Sequence, residues 1–198
     1  MKKWVMGLLC GLLFSGCMTK TETQFKEYDV PQGEHKVIEL MNVPVDMTEY
    51  QGFTDENHIF SRTTMKESFR LVDEGATGIL YFGYNTCPYC LKVVPILNDL
   101  AKKYGQRVYY IDVFNEQDTI SDEDIDRYLN MYVDFLEKDE GEPVFYVPQV
   151  FVIVNGQVID GHVGAVDSYD PSTQTKLTAE QEEELTWILE SMIRVLGE

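Results

Sequence analysis

The chain has 198 residues, 44% of them apolar, with 16 Lys and Arg against 34 Asp and Glu, a formal net charge of −18. The apolar share supplies a core for one domain of ordinary size and excludes a disordered acidic tail. The acid excess excludes a nucleic-acid binder, which needs clustered Lys and Arg against phosphate, and excludes attachment to anionic lipid by charge.

Met1-Lys2-Lys3 is a basic start, and Trp4 to Phe14 is an uninterrupted apolar run. The run is shorter than the about 20 residues that span a bilayer core, but it suits the apolar stretch of an export signal. Leu13-Phe14-Ser15-Gly16-Cys17 follows. This segment resembles the lipobox of bacterial lipoproteins, with Phe14 where Leu is usual. The resemblance implies a signal peptide over residues 1–16, cleavage before Cys17 and diacylation of Cys17. Losing residues 1–16 removes two lysines and no acid, which moves the net charge from −18 to −20. An anionic leaflet repels such a chain, so acyl chains on Cys17 have to hold it there, and stable anchoring takes two. Residues 17–24 then read as the lipidated Cys and a polar tether.

Residues 25–56 form an N-terminal extension with weak signals, a strand over Val37 to Met41 and turns at Pro31, Pro44 and Gly52. From residue 57 the pattern sharpens into a domain that runs to 198. Ile59-Phe60-Ser61 reads as a short strand, and Thr64 with Glu67 as a capping box opening a helix to Glu74, closed by Gly75. Gly78 to Gly83 is a continuous apolar run, as expected of a strand buried on both faces. Cys87-Pro88-Tyr89-Cys90 opens the next helix, with Leu91, Val94, Leu97, Leu100 and Ala101 on its inner side, and Arg107 to Val113 is the next strand.

Ser121 to Asp124 caps a helix in which Ile125, Tyr128, Leu129, Tyr132, Phe135 and Leu136 recur at helical spacing. Val147 to Val154 and Gln157 to Val163 are strands joined by Asn155-Gly156, the strongest short hairpin signal. Thr178 to Gln181 is a capping box for a last amphipathic helix that runs to Leu196. The order β-α-β-α-β-α-β-β-α implies an α/β fold, a mixed central sheet with helices on both faces.

The cysteine pair carries the chemistry. Cys87 falls at a helix N-terminus, where unpaired amides and the dipole favour a thiolate and lower the pKa from about 8.5. Pro88 suits the first helical position, where its missing N–H costs nothing. Cys90, one turn on, can close a small-ring disulfide with Cys87, and its sulfur is expected to be buried with a raised pKa. Cys87 can then attack a disulfide and Cys90 resolve the adduct.

With these elements the sequence resembles the thioredoxin superfamily, over about His58 to Leu196. The resemblance implies a thioredoxin-like three-layer α/β/α fold with a mixed central sheet. Cys-Pro-Tyr-Cys is the form typical of glutaredoxins, and Pro95 matches the proline within the family's active-site helix. Val147-Pro148-Gln149-Val150-Phe151 looks like the family's cis-proline loop, which implies substrate docking at Pro148 and Val147, beside Pro88 and Tyr89. Asn155-Gly156, Gly161 and Gly164 resemble the hairpin and glycines that follow it.

Three features depart from the family. The buried Asp that serves thioredoxins as a proton relay is replaced by Tyr81, near enough to affect Cys90. The Trp before the first Cys is Thr86. The residues by which glutaredoxins hold glutathione have no clear counterpart in Gly83–Thr86 or Gly161–Gly164. The long stretch between Asp112 and Pro148 implies a helical insertion before the cis-proline strand, within Ser121–Lys138. With its anchor, the layout resembles extracytoplasmic thioredoxin-like lipoproteins of Gram-positive bacteria, including those called bacteriocin-transport accessory proteins.

Competing uses of the same residues are weaker. Zinc needs four ligands, and His35, His58 and His162 show no matching spacing to the pair; copper on Cys87, Cys90 and one His is the other metal reading. Asp122, Asp124 and Asp126 mimic a calcium loop, but Arg127 stands where Gly is required and Val133 where Glu is. Tyr84 and Tyr89 could rim a peptide site, and His162 reads as a surface strand residue. No metal or cofactor is expected, since the dithiol itself carries the electrons. The expected activity is thiol–disulfide exchange on protein or peptide thiols and disulfides, at the extracytoplasmic face of a bacterial membrane. A redox partner in that membrane would be needed for a reductase. The alternative is a peptide-binding or secretion accessory module that uses the same groove without turnover.

Overall fold

A computed structural model describes residues 24–41, 43–115 and 119–197. The expectations for the signal segment 1–16, for Cys17 and for nearly all of the tether lie outside those residues. In chain order the elements are β1 (Val43–Pro44), β2 (Phe60–Arg62), α1 (Met65–Ser68), α2 (Arg70–Asp73), β3 (Gly78–Gly83) and α3 (Cys90–Lys103). There follow β4 (Val108–Asp112), α4 (Asp122–Met131), β5 (Lys138–Asp139), β6 (Glu142–Pro143), β7 (Gln149–Val154), β8 (Gln157–Val163) and α5 (Ala179–Ile193).

Six strands make one sheet in the order β1-β2-β4-β3-β7-β8. β4 runs parallel to both β2 and β3, while β7 is antiparallel to β3 and β8. Alternation along the central strands sorts side chains into two cores. Ile79, Tyr81, Val108, Tyr110, Val150 and Val152 face α3 and α5. Leu80, Phe82, Tyr109, Ile111, Phe151 and Ile153 face α1, α2 and α4. Covered on both faces, β3 and β7 are buried at every position, which is why their sequences are unbroken apolar runs. The architecture is the thioredoxin-like three-layer α/β/α.

Local chemistry sets the ends of the elements. Ser121 and Thr178 each head a full capping box. At Thr64 only half of the expected box forms. Its hydroxyl accepts from the Glu67 N–H, but the Glu67 carboxylate turns away to accept from the Met41 N–H at 3.0 Å and from Arg70. The reciprocal bond gives way to a tie between α1 and the N-terminal extension. The β7–β8 turn has positive φ at both Asn155 and Gly156, as the Asn-Gly pair demands.

The strand expected over Val37 to Met41 does not form. Leu40 is buried and Ile38 half-buried while Val37 and Met41 face solvent, so the alternation is real, but the edge of the sheet is taken by β1 instead. The segment is held by isolated bonds instead of a ladder, among them those from the Tyr109 hydroxyl to the Ile38 carbonyl and from the Met41 N–H to the Glu67 carboxylate. Just before it, the Thr77 N–H donates to the Lys36 carbonyl. Further along, the extension is part of the main core: Met47, Tyr50 and Phe53 are buried with the α3 face.

The chain between β4 and the Pro148 loop consists of α4, a 3-10 turn over Val133–Phe135 and the two-residue hairpin β5–β6. Its aromatic residues close the second core. Tyr132 stacks on Phe151 with centroids 4.1 Å apart, and Tyr128 lies 4.4 Å from Phe145 and 5.2 Å from Phe82. Phe82 also meets Phe145 and Phe151 edge-on. Truncation of Phe82 to Ala is therefore expected to lower the unfolding free energy by about 3–5 kcal/mol. The exposed control Val37→Ala should change it by less than about 0.5 kcal/mol. Urea denaturation of the two variants measures both.

Candidate active site

β3 ends at Gly83, and the chain turns through Tyr84–Thr86 before α3 begins. The Cys87 carbonyl already accepts from the Leu91 N–H, so the first helical turn starts at Cys87 and its free amides point at the Cys87 sulfur. The Cys90 N–H donates to Cys87 Sγ at 3.2 Å. Cys87 and Cys90 are both unbridged. Pro88 between them is exposed and has no N–H to lose. Pro95, within α3, leaves the Leu91 carbonyl without its usual intrahelical donor.

Opposite the sulfurs stands the loop before β7. The Val147–Pro148 peptide bond is cis, and the Val147 carbonyl oxygen lies 3.9 Å from Cys87 Sγ. The Gly164 N–H donates to the Pro148 carbonyl at 2.9 Å, tying this loop to the end of β8. The four residues Cys87, Cys90, Val147 and Pro148, drawn from distant parts of the sequence, thus meet in one place. Tyr89 is half-buried and packs edge-on against Tyr169, with centroids 5.6 Å apart, while Tyr84 packs on Phe114 at 5.9 Å. Phe114 keeps 57% of its surface exposed, so this aromatic rim is open to solvent.

The two thiols are strongly unequal. The Cys87 pKa is lowered to about 7, first by the hydrogen bond from the Cys90 thiol and then by the N–H groups of Cys90 and Tyr89, against the opposing effect of burial. The Cys90 pKa is pushed up, first by burial and then by the adjoining Cys87 sulfur. Cys90 meets the Tyr81 hydroxyl on its inner side, and that contact partly offsets the rise. Gly83 makes the contact possible. A Cβ there would lie 2.3 Å from the Tyr81 hydroxyl and 3.2 Å from Cys90 Sγ, so any side chain would occupy the space in which they meet.

His162 is half-buried rather than on the surface: its Nε2 lies 2.7 Å from the Ala165 carbonyl oxygen, and burial lowers its pKa. Among the described residues no three His, Cys, Asp or Glu side chains converge as a metal site would require, and no helix is long and apolar enough to cross a membrane. Sequence reasoning missed Tyr50, Phe114 and Tyr169. Tyr50 lies in the weakly patterned extension, and Phe114 and Tyr169 in loops, where no periodicity marks a partner.

Known proteins match in parts. A family model described as the F plasmid transfer operon protein TraF matches residues 66–133, about a third of the chain, including both cysteines. Thioredoxin O2 from Arabidopsis thaliana is 18% identical, with a TM-score of 0.38 over 58% of this chain and 89% of its own. Mitochondrial thioredoxin 3 from Saccharomyces cerevisiae is 20% identical, with a TM-score of 0.37 over 64% of this chain and 92% of its own. A thioredoxin from Halobacterium salinarum is 17% identical, with a TM-score of 0.37 over 67% and 90%. The fold assignment rests on the strand order and layers above, not on these scores.

Because the thiolate is the reactive form, the unequal pKa values set which cysteine reacts. Iodoacetamide at limiting concentration should label Cys87 and spare Cys90. The rate should climb as pH rises toward about 7 and level off above it. An unperturbed thiol would have its midpoint near pH 8.5 and still be gaining rate there. Peptide mapping by mass spectrometry across pH 5–9 checks both the site and the midpoint.

Proposed function

We propose that the protein is a lipid-anchored, extracytoplasmic thiol–disulfide oxidoreductase that acts on protein disulfides. Cys87 is the nucleophile and Cys90 the resolving thiol. Pro148 and Val147, with Pro88 and Tyr89, form the surface on which an extended substrate docks. The observation that carries the reading is the Cys90 N–H facing Cys87 Sγ at 3.2 Å in a pair whose outer thiol is acidic and whose inner thiol is not.

At neutral pH about half of Cys87 is thiolate, since its pKa is about 7. The thiolate attacks one sulfur of a substrate disulfide, forms a mixed disulfide and releases the other substrate sulfur as thiolate. Cys90 then loses its proton and attacks Cys87 Sγ. The Cys87–Cys90 disulfide forms, the second substrate thiolate leaves, and two electrons have passed to the substrate. Run backwards, the same steps oxidise a substrate dithiol. Repeated turnover as a reductase requires a membrane partner that returns two electrons to the pair. The lipobox-like segment ending at Cys17 supports the anchor, and a mature charge of −20 makes acylation, not electrostatics, the means of attachment.

Cys90→Ala should leave mixed disulfides between Cys87 and client proteins intact, seen as partners released by dithiothreitol on non-reducing gels. Cys87→Ser should abolish both these adducts and insulin reduction. Equal insulin reduction by Cys87→Ser and the unsubstituted chain would overturn the enzyme, and the absence of any adduct would favour an accessory module that binds without turnover. Cys17→Ser should move the chain from the membrane fraction to the soluble one without changing insulin reduction.

A further inference from the structure

Resolution asks Cys90 to give up a proton in a place that solvent does not reach. Cys90 has no exposed surface, and among the described residues the groups that shift its pKa include no carboxylate or imidazole. Its pKa is shifted by the Cys87 thiol on the outer side, by the Tyr81 hydroxyl on the inner side and by the Tyr84 backbone N–H. Tyr81 is fully buried, and its ring lies along β3 over Gly83 with the hydroxyl toward the sulfur.

From there the hydroxyls continue. Tyr81 Oη lies 3.4 Å from Tyr50 Oη, and Tyr50 Oη donates to Tyr110 Oη at 3.0 Å. Asp112 stands two residues along β4 from Tyr110, and its carboxylate adds to the rise in the Tyr110 pKa that burial begins. Tyr81 and Tyr110 are register partners on β3 and β4 and stack with centroids 5.3 Å apart, so both hydroxyls emerge at the same level. Tyr50 reaches them from the N-terminal extension and packs edge-on against Tyr110. Asp112 lines a surface cavity of about 170 Å³ with Tyr50, Tyr110, Asp46, Glu49 and Asn115, so the row of hydroxyls ends at the wall of that cavity. Asn115 holds the Asp112 carboxylate through its N–H at 3.1 Å and its Nδ2 at 2.6 Å.

We propose that Tyr81, Tyr50 and Tyr110 form a proton relay between Cys90 and Asp112 that serves the resolving step. A phenol is both donor and acceptor, so each can take one proton and pass on its own without being left charged. As Cys90 Sγ bonds to Cys87 Sγ and the Cys87–substrate bond breaks, the Cys90 proton passes to Tyr81. The Tyr81 proton moves to Tyr50, the Tyr50 proton to Tyr110, and the Tyr110 proton to Asp112 and the water of the cavity. The departing substrate thiolate carries the negative charge away. No phenolate persists, in keeping with burial, which raises the pKa of all three tyrosines. Tyr81 touches the reacting atom, and Tyr50 and Tyr110 act through it. The relay rests on the dithiol reading above and gives the N-terminal extension a part in the chemistry.

Stopped-flow reaction with 5,5′-dithiobis(2-nitrobenzoate) separates the two steps, because attack by Cys87 releases one coloured thiolate and resolution by Cys90 the second. The full chain with Cys10→Ser and Cys17→Ser leaves only the pair to react. Tyr50→Phe and Tyr110→Phe keep the rings and remove one hydroxyl each. Each should slow the second release by about 100-fold or more, the lower end of a lost proton-transfer contribution, with the first release unchanged. The double variant should be no slower than the slower single one, because one gap already interrupts the row. The solvent deuterium isotope effect on the second release should fall in the variants.

A second release at the unsubstituted rate in both single variants would overturn the relay and leave the tyrosines a packing role. Parallel slowing of both releases would also overturn it, as the mark of a distorted site. If the unsubstituted pair gives the first release but never the second, the dithiol reading itself fails, and the relay with it.

Discussion

The first turn of α3 points both the thiol and the backbone N–H of Cys90 toward the Cys87 sulfur, the N–H at 3.2 Å. The inequality of the two thiols depends on the helix start that presents the one and buries the other. The position of that helix start is fixed by packing. β3 is buried along its whole length, so its end at Gly83 has little freedom, and α3 is held through Val93, Val94, Leu97 and Ala101, all without exposed surface. The same packing that fixes Cys87 under the amides forces Cys90 inward, where burial keeps its proton on. A thiolate in front and a thiol behind is what a two-step exchange needs, because only one sulfur should attack and the other should wait.

The second constraint is placement from a distance. Val147 and Pro148 reach the sulfurs because β7 lies beside β3, although 60 residues separate Cys87 from Val147. The loop is braced from the far side by the Gly164 N–H and from below by the aromatic cluster of Phe82, Tyr128, Tyr132 and Phe151. That cluster fills the face opposite the sulfurs, so α4 contributes to the site by supporting the sheet and not by entering it.

Much of this was legible in the sequence, for identifiable reasons. The strands β3, β7 and β8, the helix opened by the cysteine pair and the caps at Ser121 and Thr178 all follow from local pattern, and each forms where the pattern puts it. The cysteine pair was legible as chemistry because spacing alone makes the two sulfurs neighbours. The extension was not. Val37 to Met41 has the alternation of a strand but loses the sheet edge to Val43–Pro44, a competition that local pattern cannot decide. Tyr50 carries no sequence signal at all. The part proposed for it rests on its lying 3.0 Å from Tyr110 and 3.4 Å from Tyr81, contacts made only when the extension packs on the α3 face. Gly83 reads as the end of a strand, and only the structure shows that its missing side chain is the space where Tyr81 meets Cys90.

Everything proposed for the site requires Cys87 and Cys90 to act as one redox couple. Equilibrating the chain with graded glutathione ratios and quantifying the free thiols of the pair tests this most directly. The expected result is a single two-electron transition to an intramolecular Cys87–Cys90 disulfide, with a midpoint between about −270 and −120 mV, the span of dithiols on this fold. A pair that stays reduced at every ratio, or that takes up glutathione on Cys87 without closing on Cys90, would contradict it.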